Sequence, residues 1–274
     1  MKAVRALVLT GNGTNCEREM AHACRLAGAE AVIAHTAELF SGRVRLSAYH
    51  LLNLPGGFLD GDDLGSAKAA AVRFRYAKVG PDREHKFFED LTRFVREGGL
   101  ILGACNGFQL LVKLGLLPAL TGRYDRQTAS LTHNDSGRFE DRWVRLAVEG
   151  RTPCVFTRGL EALELPVRHG EGKFVLERAE DLYRLEEAGL VVLRYSDPQG
   201  RPTDRYPWNP NGSVGSVAGI CDPTGRIFGM MPHPEAFLHR TNHPRWTREK
   251  LPEEGQGLAI FRNAVEFARH NLLS

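Results

Sequence analysis

The chain has 274 residues, 42% hydrophobic and 25% charged, enough to bury a sizeable core and outside the disordered and fibrous classes. A formal net charge of +3, with acids interleaved among the Lys and Arg, lacks the strongly basic footprint of a nucleic-acid binder, so no nucleic-acid partner is expected. No apolar run reaches the length of a membrane span, and the five scattered cysteines form no C-x-x-C pair, which predicts a cytoplasmic protein with reduced thiols and no membrane partner.

Ala6 to Thr10 reads as a buried first strand, too short for a signal segment, followed by the tight loop Gly11-Asn12-Gly13-Thr14-Asn15 and an amphipathic helix from Glu17 to Ala27. The unit invites a phosphate-loop reading, but a third glycine and a Gly-Lys-Ser/Thr sequence are both missing. Ala31 to Ala34 and Leu51 to Leu54 supply a second and a third strand. Their alternation with helical segments predicts an α/β fold, a flavodoxin-like three-layer sandwich with a mostly parallel central sheet, as one domain over residues 1–274. Ligands in such sheets bind beyond the carboxyl ends of the strands, where Pro55-Gly56-Gly57 lies. A glycine- and acid-rich loop from Gly57 to Gly65 then leads to a helix from about Ser66 to Ala77, and another helix, Asp90 to Arg96, precedes the next strand.

That strand, Leu100 to Ala104, runs into Cys105, after which Phe108, Leu111, Val112 and Leu114 recur at helical spacing. Cys105 therefore stands where a buried strand ends and a helix begins. A helix N-terminus offers partial positive charge and unpaired N–H groups that stabilise a thiolate and the oxyanion formed when it attacks a carbonyl. Gly103 and Gly107 flank the cysteine in the G-x-nucleophile-x-G pattern of a nucleophile elbow. Cys16 and Cys221 sit on no such elbow and are expected to matter little to catalysis.

Beyond Pro118 the chain turns β-rich, with short strands expected at Leu131-Thr132-His133, Trp143 to Val148, Val155-Phe156 and Val167 to His169, as antiparallel additions to the sheet. His169-Gly170-Glu171-Gly172 brings a histidine and a carboxylate together and is a rival for the catalytic pair. Val217 to Cys221 and Ile227 to Met231 read as a hairpin through Asp222-Pro223-Thr224-Gly225, so that His233-Pro234-Glu235 also emerges from a strand end. His239 and His243 suggest zinc, but Pro244 and the absence of an H-E-x-x-H pattern speak against it. A last helix is expected from about Glu254 to Leu272, with Leu258, Phe261, Val265, Ala268 and Leu272 on one buried stripe.

Pro55-Gly56-Gly57, Gly103-x-Cys105-x-Gly107-x-Gln109 and His233-Pro234-Glu235, in this order, resemble the class I glutamine amidotransferase family. Gly13-Thr14-Asn15-Cys16, Asn106-Gly107-Phe108, Asn134 to Phe139, His169 to Phe174 and Asn209 to Ser213 resemble, within it, the glutaminase subunits of phosphoribosylformylglycinamidine synthase, from about residue 5 to the last helix. The resemblance implies hydrolysis of glutamine to glutamate and ammonia. Cys105 is then the nucleophile, His233 the acid and base, and Glu235 the group that orients the imidazole, while the N–H groups of Gly57 and Asn106 hold the oxyanion. It places Gln109, Asn134, Ser136 and Phe139 against the substrate.

The resemblance further implies two partners, a synthetase subunit and a small accessory subunit, which use the ammonia to make formylglycinamidine ribonucleotide in de novo purine biosynthesis. No cofactor and no metal are implied in this chain, ATP and Mg being used by the synthetase. Asp63 and Gly65-Ser66 depart from the aromatic and arginine common in the family, and Asp141 stands where a cysteine is common. Related architectures that carry a cysteine elbow also include peptidases and stress-response proteins, from which the His-Pro-Glu order separates this chain. A non-catalytic subunit that merely binds a synthetase is a second rival, and the filled catalytic positions argue against it.

Overall fold

A computed structural model describes residues 3–80, 85–124 and 126–273. The chain opens with β1 (Arg5–Thr10), α1 (Glu17–Leu26), β2 (Glu30–His35), α2 (Thr36–Phe40) and β3 (Leu51–Leu54). Next come α3 (Lys68–Tyr76), the short strands β4 (Lys78–Val79) and β5 (His85–Lys86), α4 (Phe87–Arg96), β6 (Leu100–Ala104) and α5 (Asn106–Lys113). The second half holds β7 (Ala129–Thr132), β8 (Glu140–Val148), β9 (Ala162–His169), β10 (Lys173–Leu176), α6 (Asp181–Glu187) and β11 (Val191–Ser196). It closes with β12 (Val217–Cys221), β13 (Ile227–Met230) and α7 (Leu258–Asn271).

Nine strands form one sheet in the order β2-β1-β3-β6-β13-β12-β11-β8-β9. The first five are mutually parallel in the flavodoxin order, and β12, β11, β8 and β9 extend them antiparallel. Parallel strands need helical crossovers of one hand. The step from β1 to β2 runs opposite to the steps from β3 through β6 to β13, so the two sets of helices fall on opposite faces. Accordingly α1 packs with α7, and α3 packs with α4 and α5. The chain reverses between β1 and β3, and the carboxyl ends of β1, β3, β6 and β13 converge beside that point, where the loops after them build the site.

The inner strands β3, β6, β12 and β13 are buried at every position, which is why their sequences are apolar runs broken only by Asn53, whose Nδ2 donates to Leu7 O. Helix α5 is buried from Asn106 to Val112, and its Phe108 is fully covered and stacks on Phe174 at 6.4 Å between centroids. Burial of a phenylalanine of this kind stabilises the fold by about 1.5–3 kcal/mol. It also anchors the helix whose first turn carries the site. No helix among the described residues is long and apolar enough to cross a membrane.

Three sequence expectations are corrected, the first being that β7 pairs only with β10 in a two-stranded sheet of its own and does not add to the main sheet. Val155-Phe156 is part of a 3-10 turn, Val155–Thr157, and not a strand. Pro153 stands just before it, Phe156 packs on Phe228 at 5.6 Å, and Asn263 Nδ2 donates to the Phe156 and Arg158 carbonyls, so this backbone is satisfied outside the sheet. The last helix begins at Leu258 and not at Glu254, because the preceding residues strap the loop after His233. Gly255 N–H donates to Leu238 O at 3.0 Å, and a Cβ on Gly257 would lie 1.9 Å from Pro234 O, an approach open only to glycine.

Candidate active site

Cys105 joins β6 to α5 with φ 50° and ψ −104°, a backbone conformation that side chains rarely adopt and the one strained position of the turn. The glycines around it are forced by packing. A Cβ at Gly103 would lie 2.7 Å from the Gly107 backbone, and one at Gly107 would lie 1.9 Å from Leu54 O on the neighbouring strand. Gly107→Ala is therefore expected to destabilise the protein by about 2–3 kcal/mol and to lower its Tm by about 5–10 °C in a thermal melt, whereas an unchanged Tm would show that the elbow is loosely packed. The Cys105 N–H is tied to Met230 O at 2.8 Å, and its Sγ lies 3.6 Å from Arg168 O.

His233 follows β13, its N–H bonded to Pro166 O at 2.9 Å, and Glu235 lies in the 3-10 turn Pro234–Ala236. His233 Nδ1 donates to Glu235 Oε1 at 2.6 Å, with both side chains almost wholly buried. That bond fixes the tautomer. Nε2 is left without a hydrogen-bond partner among the described residues, with Cys105 close enough for the two charges to couple. Burial works against a charged ring, but the Glu235 carboxylate and the Cys105 thiol outweigh it and hold the His233 pKa well above the usual histidine value. The pair is thus suited to take a proton from a thiol and keep it as imidazolium.

The sequence-predicted residues converge unevenly. Cys105, His233, Glu235, Gly57, Gln109 and Phe139 line one cavity of about 550 Å³. Gly57 has φ 128° and pairs with Thr14 across a bridge that uses the neighbouring Asn15 and Phe58 N–H groups. Its own N–H and that of Asn106 at the start of α5 donate to no acceptor among the described residues, as an oxyanion site requires. The Asn106 side chain accepts from Leu59 N–H at 3.0 Å and donates to Gln109 Oε1 at 3.0 Å. Gln109 Nε2 in turn donates to Glu171 O at 2.7 Å, so this amide braces the cavity wall.

Asn134 and Ser136 do not reach the cavity. The amide of Asn134 donates to Arg138 O and His169 O, both at 2.8 Å, and its oxygen accepts from Gly172 N–H at 2.9 Å. With every polar atom so engaged and the residue 4% exposed, Asn134 acts on the site only through His169 and the segment after it. Ser136 faces a separate hollow with Asp135, Arg138 and Tyr206. From the other side, Asn211 Nδ2 donates to Gly172 O at 2.8 Å, and Ser213 Oγ accepts from Phe174 N–H at 2.9 Å. The Asn134, His169 and Asn209 motifs thus form one buried scaffold around residues 169–174.

His169 also lines the cavity, but its companions differ from those of His233. Its Nδ1 lies 3.1 Å from Asn134 Oδ1, which already accepts from Gly172, so Nδ1 carries the proton and the ring is the neutral tautomer. Burial, with His233 nearby, pushes its pKa down to about 3. Ring nitrogen shifts of His169 are expected to stay constant in an NMR titration between pH 5 and 8, and a midpoint inside that range would contradict the assignment. A folded pKa below the unfolded value near 6.5 means that His169 favours folding above about pH 6.5, a contribution lost as the pH falls toward 3.

Cys16, expected to be a bystander, instead lines the cavity with its Sγ 3.9 Å from His233 Nδ1. Nothing in the sequence signalled this beyond the Gly13-Thr14-Asn15-Cys16 motif itself, because the contact spans 217 residues. Glu171, weighed in the sequence as part of a rival catalytic pair with His169, serves instead as a brace: its carboxylate accepts from Ser66 N–H at 3.1 Å and pins the loop after Gly57 to the cavity rim. His239 and His243 are held apart by separate partners. His239 pairs with Glu253 at 2.6 Å, while buried His243 packs on Trp143 at 4.7 Å.

Comparison with known proteins places this geometry. A model of the CobB/CobQ-like glutamine amidotransferase domain matches residues 3–268. The chain is 46% identical to phosphoribosylformylglycinamidine synthase subunit PurQ of Dehalococcoides mccartyi, over 98% of this chain and 99% of that protein. It is 40% identical to the subunit of the same name from Methanococcus maripaludis, over 96% and 97% respectively. It also superposes on a chain in the structure of PurLQS from Thermotoga maritima with a TM-score of 0.69 and 28% identity, covering 97% of this chain and 99% of that one.

Proposed function

Because the chain belongs to the CobB/CobQ-like glutamine amidotransferase family, and within it to the PurQ subunits of phosphoribosylformylglycinamidine synthase, we propose that its cavity hydrolyses glutamine through Cys105, His233 and Glu235. The observation that carries this reading is the 2.6 Å bond between the buried His233 and Glu235 at the strand end beside the elbow cysteine. His233 Nε2 takes the Cys105 proton, and the thiolate attacks the amide carbon. The oxyanion forms against the N–H groups of Gly57 and Asn106, neither of which donates to another acceptor among the described residues. As the tetrahedral intermediate collapses, His233 gives its proton to the departing ammonia. It then deprotonates the water that hydrolyses the thioester, releasing glutamate and restoring the thiol, while Glu235 keeps the ring in one tautomer throughout.

Phe139 and the main chain of the 169–174 scaffold border the substrate, and Gln109 braces them. The ammonia passes to a synthetase subunit assembled with a small accessory subunit, the arrangement that the PurLQS relative suggests, and ATP and Mg act there and not in this chain. The complex works in the cytoplasm, where its thiols stay reduced. Docking surfaces are available at the cavity mouth, where Phe58 and Phe139 are exposed, at exposed Leu64 in the loop after Gly57, and at the loops around Asn12 and Arg240 to Trp246.

Docking is expected to raise turnover, since the Gly57 loop carries an oxyanion donor and loss of one such donor costs about 10²–10³ in rate. The test compares glutamate release by the isolated chain with release in the mixture of synthetase, accessory subunit, ATP and formylglycinamide ribonucleotide. A rise of about 100-fold or more is expected. Equal turnover would contradict activation by docking, and synthesis supported by ammonium salts but not by glutamine would contradict the glutaminase role itself.

A further inference from the structure

Cys16 takes no part in the reaction just described, yet it opens onto the same cavity as the catalytic cysteine. Its thiol donates to Asn15 Oδ1 at 3.0 Å, and ligand atoms of Cys16, His233 and Glu235 all lie within 4.8 Å of one another. Glu235 Oε2 is buried with no hydrogen-bond partner among the described residues. Gly56 permits this approach of thiol and ring, because a Cβ there would sit 2.6 Å from His233 Cε1 and 3.4 Å from Cys16 Sγ.

A sulfur, an imidazole nitrogen and a carboxylate oxygen are the donors that zinc selects, and bonds of about 2.0–2.3 Å in a tetrahedron set neighbouring donors roughly 3.3–3.8 Å apart. The Cys16 to His233 Nδ1 separation of 3.9 Å nearly matches that spacing already. The 2.6 Å between Nδ1 and Glu235 Oε1 is a hydrogen bond, so an ion entering here takes the place of the shared proton and draws on the free Oε2. We propose that Cys16, His233 and Glu235 form a binding site for a thiophilic divalent cation of the zinc class, with cavity water as fourth ligand, and that occupancy switches glutamine hydrolysis off.

The switching half rests on the catalytic reading above; the binding half does not. On coordination Cys16 releases its thiol proton to solvent, and the proton that His233 Nδ1 shared with Glu235 moves through cavity water to Nε2, leaving a neutral imidazole bound to the ion through Nδ1. Nε2 then has no lone pair with which to accept the proton of Cys105 or of water, so both halves of the reaction stop.

Cobalt(II) is the probe for binding, since a thiolate ligand gives it a near-ultraviolet charge-transfer band. The folded chain is titrated with cobalt in the wild type, Cys16→Ser, Cys105→Ser and Glu235→Gln, each checked by circular dichroism. One equivalent of band-forming cobalt, displaced by zinc, is expected in the wild type and in Cys105→Ser. Loss of the band is expected in Cys16→Ser, and at least tenfold weaker binding in Glu235→Gln. In parallel, zinc is expected to suppress wild-type glutamine hydrolysis reversibly with EDTA, and Cys16→Ser should need at least tenfold more zinc for the same fractional loss. A band that survives in Cys16→Ser but vanishes in Cys105→Ser would overturn the proposal by making the nucleophile the ligand, as would absence of any band in the wild type. Cobalt binding that leaves hydrolysis untouched would overturn only the switching half.

Discussion

Cys105→Ser is expected to lower glutamine-dependent glutamate release by at least about 10³-fold while leaving the fold intact. The elbow holds this one side chain in a positive-φ conformation, at the start of α5 and beside the free Nε2 of His233. A serine there keeps the shape, and the N–H to Met230 O bond is a backbone contact that it retains. What it loses is the ease of ionisation, because a hydroxyl is a far weaker acid than a thiol and the same imidazole cannot deprotonate it to a useful extent. Far-ultraviolet circular dichroism and Tm report the fold, and glutamate release reports the chemistry. Turnover near that of the wild type would remove Cys105 from the nucleophile role.

The second large effect separates the two histidines. His233→Asn is expected to cost about 10³-fold or more in turnover and to suppress labelling of Cys105 by an electrophilic diazo-ketone analogue of glutamine. His169→Asn should retain labelling and show its effect mainly in stability and substrate binding, because His169 lacks a carboxylate partner and is held by Asn134 as a neutral ring. Glu235→Gln should fall between them, as an orienting acid assists a base without replacing it. Labelling blocked in His169→Asn but normal in His233→Asn would reverse the assignment of the base.

That Cys105, His233 and Glu235 would share one cavity was legible in the sequence, because the chemistry proposed for them constrains both residue type and local backbone. An elbow needs glycines two residues either side of the nucleophile, and the packing of Gly103 and Gly107 shows the steric reason. The parallel half of the sheet was equally plain, since inner strands buried on both faces are written as apolar runs, interrupted here only by Asn53. The antiparallel half was read less well. β11 was passed over although Gly189 precedes an apolar run, and β8 and β9 begin earlier than expected, because Arg142 and Glu164 interrupt the hydrophobic pattern on strands nearer the sheet edge. The start of α7 was misplaced because its true limit is a contact between Gly257 and Pro234, which local sequence cannot show.

Roles that depend on which way a side chain turns were the least legible. Asn134 carries the polar amide expected of a substrate ligand, yet three backbone groups engage it inside the protein. Cys16 had no signal of function beyond its Gly13-Thr14-Asn15-Cys16 motif, and only the closure of the loop after β1 over the end of β13 sets it against His233. Both outcomes follow from long-range packing, whereas Cys105 owes its place to the few residues on either side of it.

The central claim is that glutamine is hydrolysed through a thioester on Cys105, and trapping that species tests it most directly. The chain, docked to its synthetase and turning over glutamine, is quenched in acid, digested, and analysed by peptide mass spectrometry. A glutamyl group is expected on the peptide that carries Cys105, absent from Cys105→Ser and from samples without glutamine. Glutamate release with no adduct on Cys105, or with the adduct on Cys16, would contradict the account.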